Sequence, residues 1–393
     1  MYIVREITEK FRAVEKVYNL IAVVGARQSG KTTFLKEQMK NVRSSYVLFD
    51  DPDARSLFEE DVKKFEKQYV EGYDVTVLDE VQQCKDAGRK LKYLADTGRR
   101  VWMTSSSEII LGKEILSHLV GRVSIIRLYP FSLPEFLIAK GQKEITQPIL
   151  ERSIWEHITY GGYPKVVLTD DVEMKKTILK DLYETMILKD VAQTFSIEDI
   201  RNLEEFVKYL SAGVGGALSY ERISGALKIA FQTVKKYLNA MEKSYLIALV
   251  PPFFRNKHKE ITKQPKVYFI DTGLKNAVAN SFGEPDGRTF ENYVFTELLK
   301  LGFMPKYWRT KAKAEVDFII EKDGWIIPVE AKLTAGPGKI EKSLRSFIES
   351  YKPKIALVVT YKGEKGEMDI GGCKVLFTDV LEMRKYLVGG QNR

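Results

Sequence analysis

Residues 20–33 read Leu20-Ile21-Ala22-Val23-Val24-Gly25-Ala26-Arg27-Gln28-Ser29-Gly30-Lys31-Thr32-Thr33. Five apolar residues predict a short buried strand, residues 25–32 match GxxxxGKT, and 33–39 continues with helical character. Strand, glycine loop and helix in that order is the context a phosphate-binding loop requires. Glycines let the backbone wrap tightly with its N–H groups pointing inward, and the helix N-terminus adds partial positive charge. Lys31 is then placed to reach the β/γ-phosphates of ATP, and Thr32 to offer its hydroxyl to Mg²⁺. The expected cradle is Gly25, Ala26, Arg27, Gln28, Ser29, Gly30, Lys31, Thr32 and Thr33.

Downstream, 46–49 is an apolar strand closed by Asp50, Asp51 and Pro52, and 74–80 is a second buried strand ending in Asp79-Glu80. Asp79 is placed to hold Mg²⁺ through water, and Glu80 to polarise an attacking water. A fourth strand, 101–103, ends in Thr104-Ser105-Ser106-Ser107, hydroxyls that either sense the γ-phosphate or cap the next helix. A fifth strand covers 123–128. Strands that alternate with helices and deliver polar residues at their C-terminal ends describe a mostly parallel α/β sheet. An extra strand between loop and acidic strand favours the ATPase division in which a glutamate follows the magnesium aspartate. No guanine-specific motif is present.

GARQSGKT (25–32), VLDEVQ (77–82), LVGR (119–122), YPFSLPEF (129–136) and YGGYPKVV (160–167) together resemble AAA-type ATPases of archaea and bacteria that carry a C-terminal nuclease-like region. The resemblance spans nearly the whole chain and implies an α/β P-loop NTPase (AAA/ASCE type) with a helical lid. The family's nucleotide roles fall on Lys31, Thr32, Asp79 and Glu80. Its sensor segment commonly reads TGSS, and Ser105 stands here in place of the glycine. Arg122 is expected either to neutralise γ-phosphate charge, as a finger from this chain or a neighbouring subunit, or to pair with a local acid.

Residues 132–195 look helical, with 149–160 and 172–190 the long segments and Gly161-Gly162-Tyr163-Pro164 a turn between them. Helices at 200–209, 220–227 and 231–243 and strands at 245–250 and 266–270 have the shape of a winged helix-turn-helix. Residues 228–266 hold nine Lys/Arg against two Glu, a net +7. Lys235 and Lys236 lie off the apolar stripe of the third helix, and Arg255, Lys257 and Lys259 sit in the wing loop. Such a surface suits phosphate contacts with DNA, docking of a protein, or simple solvation.

After a Gly/Pro/Asp-rich connector (283–287), 289–300 forms an amphipathic helix carrying Glu291. Residues 315–320 and 325–330 alternate as a hairpin. Period two puts Glu315 with Asp317 on one face, and Glu330 with Lys332 on another. Asp317, Glu330 and the Ala331 carbonyl can hold Mg²⁺ or Mn²⁺, Glu291 can complete the set, and Lys332 can orient water for phosphodiester hydrolysis. This D-x(12)-E-A-K pattern resembles the PD-(D/E)xK nuclease superfamily, with Val316 where a proline often stands. The resemblance implies a C-terminal restriction-endonuclease-like α/β domain. Further strands at 354–360 and 373–377 and a helix at 380–386 follow, and Arg345 is expected at the surface.

Length and composition set the frame. With 393 residues, 44% hydrophobic, there is core material for several domains: 1–140, 141–195, 196–280 and 281–393. Two cysteines and three scattered histidines supply neither a disulfide framework nor a zinc site. No apolar run approaches a membrane span, and Arg5 and Glu9 interrupt any secretory segment, so a cytoplasmic protein is expected. The combined expectation is a magnesium-dependent ATPase acting on DNA, with a homo-oligomer or protein partner and no membrane. The alternatives are an ATP-responsive regulatory switch with a silent nuclease-like domain, and an ATP-fuelled protein assembly factor.

Overall fold

The computed structural model describes residues 2–106, 116–254, 260 and 263–389. Ser107, Arg255, Lys257 and Lys259 lie outside the described residues.

Five strands, β1 (Leu20–Val24), β2 (Ser44–Leu48), β3 (Val75–Asp79), β4 (Val101–Ser105) and β5 (Val123–Arg127), form a parallel sheet in the order β2-β3-β4-β1-β5. β1, β3 and β4 are buried along their whole length, as the central strands of a parallel sheet covered on both faces are. The extra strand of the sequence, β2, lies at the sheet's edge. β4 is the strand that separates β1 from β3 in space. Pairing of Val24 with Ser105 and of Leu78 with Met103 ends β1, β3 and β4 together, so their C-terminal residues share one rim.

Helices Leu133–Ala139, Gln147–Tyr160, Pro164–Val167 and Val172–Thr185 follow, the last running into a π-helical stretch, Met186–Gln193. The Gly161-Gly162 turn between them is a socket. Asp271, which caps helix Thr272–Ala279, accepts the Gly162 N–H at 2.8 Å. Gly161 has φ +75°, and a Cβ there would stand 2.0 Å from Asp271 Oδ1. Tyr163 is buried beside it.

Helices Ile200–Ala212, Tyr220–Leu227 and Phe231–Lys243 precede an antiparallel pair, β6 (Ile247–Val250) and β7 (Lys266–Phe269), within a few residues of the expected bounds. The C-terminal part packs helix Gly287–Lys300 on a six-stranded mixed sheet in the order β12-β13-β11-β10-β9-β8. Its strands are β8 (Lys306–Arg309), β9 (Glu315–Lys322), β10 (Trp325–Lys332), β11 (Ile355–Thr360), β12 (Gly366–Ile370) and β13 (Cys373–Thr378). β8 and β12, both edge strands, are additions to the sequence reading.

One buried ionic knot ties these parts together. Glu297, 0% exposed, accepts from Arg384 at 2.7 Å, from Lys300 and from the Leu133 N–H, while Arg384 also pairs with Glu6. No helix among the described residues is long and apolar enough to cross a membrane.

Candidate active sites

The loop after β1 wraps as its glycines permit. Gly25 and Gly30 have φ of +153° and +98°, and a Cβ on Gly25 would lie 2.1 Å from the Leu128 carbonyl oxygen. Helix Lys31–Met39 opens directly on the loop. Lys31, 5% exposed, donates to the Gly25 and Ala26 carbonyls at 3.1 and 2.9 Å. Burial pulls its ammonium below the ordinary lysine range. Thr32 Oγ1 donates to Asp79 at 2.7 Å, Tyr46 donates to the same carboxylate at 2.5 Å, and Thr104 is its third hydroxyl partner. Glu80 holds a left-handed conformation, φ 60°, rare for a side chain of its kind, and its N–H donates to Thr104 Oγ1. Gln82 bridges Glu80 and Ser106.

The loop is gripped from two sides. Arg5, buried, donates to the Ser29 carbonyl at 3.0 Å and pairs with Glu135. Arg27 forks onto Asp190 of the π-helical stretch, whose carbonyl in turn accepts from Ser244 at 2.6 Å. A cavity of about 400 Å³ lies between Arg27, Asp50, Gln82, Ser106, Asp190 and Gln193. Ser29 Oγ and Gln82 Oε1 are buried without a hydrogen-bond partner among the described residues. A triphosphate would suit the Ser29 hydroxyl and the carbonyl-held ammonium, and the waters of a hydrated magnesium ion would suit Gln82 Oε1 and the Thr32–Asp79 pair.

In the C-terminal sheet, β9 and β10 pair antiparallel up to Phe318–Val329, and continuing that register by one residue puts Asp317 opposite Glu330. There β10 turns to its other neighbour, pairing Glu330 with Val358 of β11. The Ala331 N–H donates to Asp317 at 2.9 Å. Glu330 is 2% exposed and its Oε1 has no hydrogen-bond partner among the described residues, while Oε2 meets Lys332 at 3.2 Å. Burial first, then the Asp317 charge, pushes the Glu330 carboxyl well above the usual range. An unpartnered, buried carboxylate oxygen beside a second carboxylate is a fit for a divalent cation. Asp317, Ala331, Lys332, Glu291 and Arg288 line a cleft of about 460 Å³.

Comparison with known proteins bears on the first of these regions. Residues 17–137 match the family described as an AAA domain. The chain carries an AAA-type P-loop ATPase domain. Residues 151–284 and 286–378 of the ATPase match two families described as domains of unknown function. The ATPase is 29% identical over 341 residues to an uncharacterized protein of Methanocaldococcus jannaschii, covering 80% of this chain and 76% of that one. It is 25% identical over 379 residues to an uncharacterized protein of Haemophilus influenzae, covering 90% and 92%. Among solved structures it is similar to the Walker-type ATPase of Pyrococcus abyssi, with TM-score 0.48 and 11% identity over 70% of this chain and 96% of that one.

Of the residues singled out from sequence, Lys31, Thr32, Asp79 and Glu80 converge at the loop after β1. Gln28 and Thr33 are exposed, and Arg27 faces Asp190. Arg122 is exposed and pairs with Asp96 at 2.7 Å, the local-acid alternative within one chain. Lys235 and Lys236 are exposed, Lys236 donating to the Ser196 carbonyl.

Two expectations change. Among the described residues no three His, Cys, Asp or Glu side chains form a metal-holding group, so Glu291 does not close a ligand set with Asp317 and Glu330. Its Oε1 takes Lys266 at 3.0 Å and the Tyr268 hydroxyl instead. Lys266 is therefore no part of the exposed basic patch. Arg5, Tyr46, Asp190 and Lys266 were missed by sequence reading. Only Arg5 had an indirect signal, through the Ser132/Glu135 capping box that its partner glutamate completes.

Proposed function

We propose that this ATPase couples turnover of Mg²⁺–ATP to action on DNA, and that its carboxylate centre hydrolyses phosphodiester bonds with Mg²⁺ or Mn²⁺. The observation that carries the coupling is the reach of the middle module. Ser244 fastens it to the stretch that holds Arg27, and Lys266 fastens it to Glu291.

At the P-loop, Lys31 and Arg27 bind phosphate, Thr32 and Asp79 hold the cation, and Glu80 orients the attacking water. Magnesium, when bound, neutralises charge on the β- and γ-phosphates. Arg122, exposed at the surface, serves as a finger across a homo-oligomer boundary. At the second centre Asp317, Glu330 and the Ala331 carbonyl hold the ion, and Lys332 orients water and offsets charge gathering on the phosphate. Lys235 and Lys236, with Arg255, Lys257 and Lys259, contact DNA phosphates, which makes binding steeply salt-dependent. The protein acts in the cytoplasm.

Matched ATPase and nicking assays on wild type, Lys31→Ala, Asp317→Ala and Lys332→Ala test the reading. Lys31→Ala should abolish ATP turnover, and the other two should abolish nicking with ATPase retained. Wild type that releases no nicks from linear, nicked or branched DNA with either ion would refute cleavage. A second reading, an ATP-responsive switch with a silent centre, is favoured by the lysine seated on Glu291. It requires ATP-dependent DNA affinity without cleavage.

A further inference from the structure

Lys266 belongs to β7 of the middle module, yet its side chain, 1% exposed, ends among the carboxylates of the next domain. Its Nζ lies 3.0 Å from Glu291 Oε1 and 2.6 Å from Glu315 Oε1. Those two acids come from different elements, helix Gly287–Lys300 and strand β9, and meet at this ammonium. The acids are themselves fixed. Tyr268 donates to Glu291, Arg309 stands 3.5 Å from Glu315 Oε2, and Gly215 lies against Glu291 Oε2 with no Cβ to push it away. Glu291 and Glu315, with Asp317 close by, would repel one another without a cation, since buried like charges are costly unless compensated.

We infer that Lys266 is the resident cation of the C-terminal carboxylate centre, seated where a divalent ion joining Glu291 and Glu315 would otherwise sit. An ammonium keeps the charge balance without exchanging ligands or polarising water. The centre is thereby left with a single place for metal, at Asp317 and Glu330. Lys266 is a positioning residue supplied by one domain to another, and removing it opens a second divalent site. The inference rests on the phosphodiester-hydrolysis reading only for the first ion.

Counting Mn²⁺ bound per full-length chain, without nucleotide, by electron paramagnetic resonance separates the two. Lys266→Ala is expected to take up one Mn²⁺ more than wild type, about doubling the bound ion, and to gain more thermal stability from Mn²⁺ than wild type does. One ion in wild type and two in the variant supports both readings. None in wild type and one in the variant supports the resident lysine and removes the metal-hydrolysis reading. Equal counts overturn the inference, as does a variant that stays unfolded at saturating Mn²⁺. Glu291→Gln adds an independent arm for a wild type that binds one ion. With Glu291 held by lysine, the Mn²⁺ Kd should stay within about threefold of wild type, and a loss of about tenfold or more would make Glu291 a ligand and overturn the inference.

Discussion

Arg27 and Asp190, 163 residues apart, are joined by a forked ion pair, Nη2 to Oδ1 at 2.8 Å and Nε to Oδ2 at 3.0 Å. One partner is in the phosphate loop and the other in the π-helical stretch above it. A phosphate bound at the loop therefore competes with, or adds to, the same guanidinium.

Asp190→Asn should destabilise the nucleotide-free protein by about 2 kcal/mol, less than a fully buried pair because Arg27 is partly exposed. A non-hydrolysable ATP analogue gives Arg27 a new partner, so its thermal shift should be larger in the variant than in wild type. Equal shifts would show that Arg27 does not sense nucleotide.

Tyr46→Phe removes one of the three hydroxyls that fix Asp79. A hydrogen bond to a charged group is worth about 1.5–3 kcal/mol, so ATP turnover at limiting Mg²⁺ should fall roughly tenfold or more. Raising Mg²⁺ should recover much of it, whereas Lys31→Ala should not be recoverable. A Mg²⁺ titration of steady-state turnover decides, and an unchanged Mg²⁺ requirement in Tyr46→Phe would be the contrary result.

Gly161→Ala places a methyl group 2.0 Å from Asp271 Oδ1 at a left-handed backbone position. Loss of the Asp271–Gly162 hydrogen bond and the added strain should cost about 2–4 kcal/mol. Urea unfolding reads it directly, and a change below about 0.5 kcal/mol, the range of surface substitutions, would mean that the socket yields freely.

His157 is fully enclosed, with Nδ1 2.9 Å from the Tyr293 hydroxyl and Nε2 3.0 Å from the Phe131 carbonyl oxygen. Burial first, then the Lys300 charge, brings its pKa down from 6.5 to about 3. The unfolded chain takes a proton that the folded chain refuses. Stability present above pH 6.5 is therefore lost as pH falls toward 3, at up to about 1.4 kcal/mol per unit. Glu291 acts in the opposite sense. Burial and Asp317 push it from 4.5 up to about 7, so its contribution is lost as pH rises through that window. Comparing wild type with His157→Gln isolates the histidine. Between pH 6.5 and 4.5 wild type should lose about 2 kcal/mol more than the variant, and parallel profiles would refute the assignment.

The P-loop and the Asp79-Glu80 strand were legible in sequence because their chemistry is local. Apolar runs fix the strands, glycines fix the wrap, and a few consecutive residues do the work. The hairpin with Asp317, Glu330 and Lys332 was legible for the same reason, through its period of two. Asp190, Tyr46 and Lys266 were not, because each acts across a gap between elements that no spacing rule spans. Lys266 misled most. In a net-charge count it belongs to a basic surface, and only its partners on another domain reveal that its charge is already taken. Arg122 next to Gly121 read equally well as a finger or a surface ion pair, and proximity to Asp96 decides only the single-chain arrangement.

The seating of Lys266 and the knot at Glu297 bear on how such chains are rearranged in evolution. A C-terminal piece grafted elsewhere from residue 286 onward would leave behind the ammonium of β7, the Leu133 N–H and Glu6. It would arrive with bare acids at Glu291 and Glu315 and a half-satisfied arginine inside. Inheritance as one block, from Glu6 to Arg384, is the arrangement these charges favour, and hybrids joined at the connector should need compensating changes at those few positions to fold.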